Sequence, residues 1–91
     1  MSIIAESWAW DVAVDEPLHR LALVVLAEFA DARHRVDIPM AAFTYYCLLR
    51  DREVEPLLRL LAADDLISLD EISQQSIKLS LNVRFYNEDG E

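Results

Sequence analysis

The chain is almost without glycine: among its 91 residues only Gly90 is one. Glycine is the residue that takes left-handed backbone conformations without steric cost. Its scarcity excludes a glycine-rich phosphate-binding loop and favours a helix-rich fold. Cys47 is the single cysteine, which excludes an intramolecular disulfide and a thiolate cluster for zinc. A lone thiol fits a reducing, cytoplasmic setting. Cations are also few. Eight Lys and Arg stand against seventeen Asp and Glu, a net charge of −9 at pH 7. That balance repels phosphate and attracts basic partners. The most apolar run, "LALVVLAEFA", is roughly half a membrane span and carries Glu28. The first 16 residues hold two tryptophans and no Lys or Arg, the wrong composition for the basic segment of a secretory signal.

What is present is a strongly apolar chain, 54% by residue, of a length that suits one domain with one core. "EPLHRLALVVLAEFADA" reads as a first helix, with Asp15 or Glu16 as its cap and Pro17 at its first position. Leu18, Leu21, Ala22, Val25, Leu26 and Phe29 recur at helical spacing and predict its buried stripe. Leu23 and Val24 lie off that stripe, so a further element or a partner must cover them. Trp8 and Trp10 are expected to fold back onto this helix. "RHRVDIP" holds one short strand, and Pro39 biases Ile38 away from helix before a new helix begins. "MAAFTYYCLLR" is the second helix, with Met40, Phe43, Cys47 and Leu48 as its inward candidates and Tyr45, Tyr46 and Leu49 on other faces. After a turn near residues 49 to 52, Val54, Leu57, Leu58 and Leu61 mark a third helix, with Pro56 near its first turn. The period then changes from 3.6 to 2. "LISLDEI" and the alternating run from Ile77 to Tyr86 predict a hairpin over residues 66 to 85 that turns near Gln74 and Gln75. The expected core is Leu21, Val25, Phe29, Phe43, Val54, Leu58, Leu61, Leu79 and Leu81. A domain over residues 1 to 86 and a disordered acidic tail, "NEDGE", over 87 to 91 complete this reading.

Helix, strand, helix, turn, helix, hairpin is the layout of a winged helix-turn-helix, an α+β fold of three helices with a C-terminal β-hairpin wing. Two stretches carry a resemblance to the winged-helix domains of phage replication proteins and small helix-turn-helix proteins of mobile genetic elements. One is "SWAWDV" followed by "HRLALVVLAEFADA". The other runs from Pro39 to Ile67, where Phe43, Val54, Leu58 and Leu61 match the inward positions of the family's second and third helices. "DDLI" falls where the family's wing begins. The resemblance implies a DNA-reading third helix. Two departures stand against that. Leu48 occupies the family's turn glycine. Arg52, Glu53, Val54, Glu55 and Pro56 replace the arginine-rich segment that faces phosphate and bases.

From Arg50 to Asp65 three arginines face five acids. Phosphate affinity comes from cations that displace condensed counterions, so this segment points away from DNA. The leading expectation is a non-enzymatic interaction protein of phage or plasmid type. It would bind a basic or nucleic-acid-binding protein through Asp51, Glu53, Glu55, Asp64 and Asp65, with Tyr45 and Tyr46 as aromatic anchors. Inhibition of a nucleic-acid-binding machine by acidic mimicry is one form of this. The alternative is a DNA-binding regulator or replication module, as a homodimer, using Arg50, Arg52, Arg59, Lys78 and Arg84. His19 and His34 lie in no metal or triad spacing. No catalytic residue, metal, cofactor or membrane partner is expected.

Overall fold

In the computed structural model, which describes residues 3 to 83, the chain forms an α+β domain of four helices and a three-stranded antiparallel sheet. The elements run α1 (Ile3–Asp11), α2 (Pro17–Glu28), β1 (Arg35–Pro39), α3 (Met40–Cys47), α4 (Asp51–Ala63), β2 (Ile67–Ile72) and β3 (Ser76–Leu81). The sheet order is β1-β3-β2, so among the described residues the central strand is the last in sequence and both outer strands are edges.

Four helices replace the three expected. The tryptophan-bearing segment is itself helical, with Ala5, Trp8 and Ala9 at i, i+3 and i+4 buried against the rest of the fold. Arg20 of α2 holds its end: Nη1 donates to the carbonyls of Ala9, at 2.9 Å, and Val12, at 2.6 Å. A cation at a helix C-terminus also complements the partial negative charge there. Trp10 does not join the core and is 63% exposed.

This extra helix corrects the expected stripe of α2. Leu23 is fully buried, whereas Leu18, Leu21 and Phe29 are each more than a third exposed. The further element expected to cover Leu23 is α1, which packs on α2. Leu21 and Phe29 therefore leave the predicted core. Val25, Phe43, Val54, Leu58, Leu61, Leu79 and Leu81 are in it.

The sheet contributes the other half of the core. Val36, Leu79 and Leu69 are cross-strand neighbours, and so are Ile38, Ile77 and Ile72. In β2 the inward positions step from Ile67 to Leu69 and then to Ile72. The extra residue is absorbed by a bulge between Leu69 and Glu71. Without it Ile72 would point to solvent, because a strand's faces alternate every residue. The hairpin turns at Ser73 to Gln75, where Ser73 Oγ accepts from the N–H groups of Gln75 and Ser76. Met40 N–H donates to Gln75 O at 2.9 Å, tying the start of α3 to this turn. Described pairing ends at Leu81, and residues 84 to 91, including Arg84 and the predicted tail, lie outside the described residues.

Leu48 is not inward as expected but 88% exposed: it follows α3 with φ 56°, in the left-handed region, and ends the helix where a glycine would be unstrained. Leu49 N–H then donates to Thr44 O at 2.9 Å, closing the turn into α4. Pro56 sits in the second turn of α4, later than expected, and removes a bond that its N–H would otherwise make.

Candidate acidic groove between α4 and the hairpin

Two adjoining depressions run between α4 and β2. The first, of about 730 Å³, lies between the start of α4 and the hairpin turn and is lined by Met40, Asp51, Val54, Glu55, Ile72, Ser73 and Gln74. The second, of about 260 Å³, continues along β2 past Glu55, Arg59, Leu69, Asp70, Glu71 and Ile72. Glu55 and Ile72 belong to both. The first has an apolar floor, with Val54 fully buried and Met40 nearly so.

Helical spacing sets Asp51 and Glu55 on one face of α4, since residues four apart are neighbours there. The bulge sets Asp70 and Glu71 opposite, as exposed acids on consecutive residues. Among the described residues four carboxylates thus line the groove, against one cation, Arg59. That cation is already engaged: its Nη2 and Nε donate to Glu55 Oε2 at 2.6 and 2.9 Å. The pinned turn holds the far wall, so the groove exists before anything enters it.

The sequence had nominated a wider acidic set. Asp51 and Glu55 do come together, joined by Asp70 and Glu71. Glu53 does not line the groove; its carboxylate accepts from Arg50 N–H at 2.8 Å and caps α4. Asp64 and Asp65 lie beyond the other end of the helix, roughly 20 Å along its axis from Asp51. Asp65 has φ 63°, and its carbonyl accepts from Asn82 Nδ2 at 3.0 Å. Both serve the turn into β2. Tyr45 and Tyr46 are 74% and 55% exposed, pack edge-to-face with ring centres 5.3 Å apart, and do not line the groove.

The nominated cations are dispersed. Lys78 lies across from Asp37 on one side and Glu71 on the other, flanked by acids within the sheet. Arg50 and Arg52 are exposed at the start of α4 and make no ion pair among the described residues. Elsewhere, the Asp31 carboxyl is held below its ordinary range, chiefly by the backbone N–H groups of Arg35 and Arg33. Burial pushes the Cys47 thiol up to about 11, so it is inert as a nucleophile near neutrality.

Among the described residues no group of three His, Cys, Asp or Glu side chains could hold a metal ion, and no helix is long and apolar enough to cross a membrane. No protein-family model matches the chain, and no curated protein or solved structure matches it.

Proposed function

We propose that this protein is an acidic winged-helix domain that binds a basic segment of another protein in the groove between α4 and β2. The winged-helix reading draws support from the order α2, β1, α3, α4, β2, β3 and from the β1-β3-β2 sheet. The binding reading rests on one observation. Among the described residues, the groove beside the helix that would read DNA is lined by four carboxylates and one arginine, which is bonded to one of them. A duplex entering here would meet like charge. A lysine or arginine segment would find acids above an apolar floor on which its aliphatic stems can lie. In a phage or plasmid setting such a protein would act by occupying the nucleic-acid-binding surface of a basic partner.

The test compares oligolysine and mixed duplex DNA as ligands of the full chain at about 50 mM salt. Oligolysine should bind and be weakened by Glu55→Lys and Asp70→Lys, and the weakening should shrink as salt screens the charges. Arg50 and Arg52 favour the alternative, a DNA-binding regulator. Duplex binding at micromolar strength or better, lost on Arg50→Ala or Arg52→Ala, would establish that alternative and overturn the proposal.

A further inference from the structure

The groove's second wall is a strand edge. In the order β1-β3-β2, strand β2 pairs among the described residues with β3 on one side only. In an antiparallel ladder, residues alternate between turning their backbone N–H and C=O toward the partner and away from it. Asn82 N–H donates to Leu66 O, and Ser73 N–H donates to Ser76 O. These two bonds fix the alternation at either end of β2. With the register Ile67 to Leu81 and Ile72 to Ile77, they turn the backbone groups of Ile67, Leu69 and Ile72 away from β3. Leu69 and Ile72 both line the groove. The outward amides and the acids therefore border one opening.

We infer that the occupant of this groove is an extended basic segment that adds to β2 as a fourth strand. The inference rests on the binding reading above and specifies the form the partner takes. Backbone bonds to Leu69 and Ile72 would give it register, as in other strand-addition complexes. Alternate side chains of the added strand would point to opposite faces of the sheet. Those on the groove side reach Glu55, Asp51 and the apolar floor, and Lys or Arg there meets opposite charge. The same acids decide against a second copy of the chain. Two β2 edges brought together would set Asp70 and Glu71 of one beside those of the other, and like charges across a strand pair are unfavourable. The bulge and the edge acids, devices that blunt a sheet edge against self-pairing, here also select a partner of opposite sign.

The test uses the full chain and three short peptides. One alternates Lys and Val. The second has the same sequence with alternate backbone nitrogens methylated, which preserves charge and removes the donors on one edge. The third alternates Glu and Val. The unmodified basic peptide should slow hydrogen exchange at the amides of Leu69 and Ile72. It should bind at least about tenfold more tightly than its methylated form, the loss expected for two or more backbone bonds. The acidic peptide should not bind. If both basic peptides bind equally and those amides stay unprotected, strand addition is overturned while the acidic-groove reading stands. If neither binds, both readings fall.

Discussion

Replacing Arg20 with methionine should release α1 from the domain without unfolding the remainder. The guanidinium makes two charge-assisted bonds to carbonyls at the end of α1, one to Ala9 and one to Val12. Bonds to a charged partner contribute about 1.5–3 kcal/mol each. Both are only partly buried, and the released carbonyls regain water, so a loss of about 2–3 kcal/mol is expected rather than the sum. Against this stands the docking of α1 itself. Its main contribution is Trp8, 4% exposed, whose burial is worth at most about 5 kcal/mol at ~25 cal/mol per Å² over ~200 Å². The conformational entropy lost in ordering a nine-residue helix opposes that gain, so α1 docks with a small net margin. Removing the clamp therefore brings the docked and undocked forms near balance. The core of α2 to β3, several kcal/mol more stable on general grounds, should survive. Native-state hydrogen exchange at the Trp8 and Ala9 amides should accelerate selectively, with the amides of Leu58 and Leu79 little changed. Tryptophan emission should shift to the red as Trp8 joins the already exposed Trp10. Unchanged exchange at Trp8 and Ala9, with unfolding free energy within about 0.5 kcal/mol of the parent, would refute the clamp.

Three further outcomes follow from the core and its turns. Leu58→Ala empties a fully buried position on α4 and should cost about 2–5 kcal/mol in denaturant melts; a loss below about 1 kcal/mol with a cooperative transition would contradict the packing. Leu48→Gly should stabilise by about 0.5–1 kcal/mol, because φ 56° is strained for leucine and the side chain is 88% exposed, with little packing to lose. Equal or lower stability of that variant would show that Leu48 packs against something in solution. For Cys47 the folded pKa is raised from 9.0 to about 11. The thiol is neutral in both states below pH 9, whereas between about 9 and 11 only the unfolded chain ionises. The parent should therefore lose up to about 2–3 kcal/mol across that window relative to Cys47→Val. Parallel pH profiles for the two would contradict the burial.

Most of the secondary structure could be read from the chain itself. Pro17 and Pro39 mark the starts of α2 and α3, and the change of period after residue 63 marks the hairpin. Even the bulge is written in the spacing of Ile67, Leu69 and Ile72, two steps and then three. The nine residues of α1 are not legible as a helix in the sequence, because a short segment with apolar residues on all sides carries little helical periodicity. Its presence shifts the buried face of α2, which keeps Ala22, Val25 and Leu26 but takes in Leu23 instead of Leu21, since a stripe's inward side depends on which neighbours cover it. For the site, composition established the excess of acid, and the order of residues pointed to Asp51, Glu53, Glu55, Asp64 and Asp65 around α4. It could not show that Asp70 and Glu71 stand opposite them, that Glu53 is spent on a cap, or that Arg59 is held by Glu55. Net charge and periodicity are properties of order along the chain, so the sequence by itself determined them. Which acids share a groove, and that a strand edge forms its wall, depend on strand order and on residues far apart in sequence, and only the tertiary structure decided those.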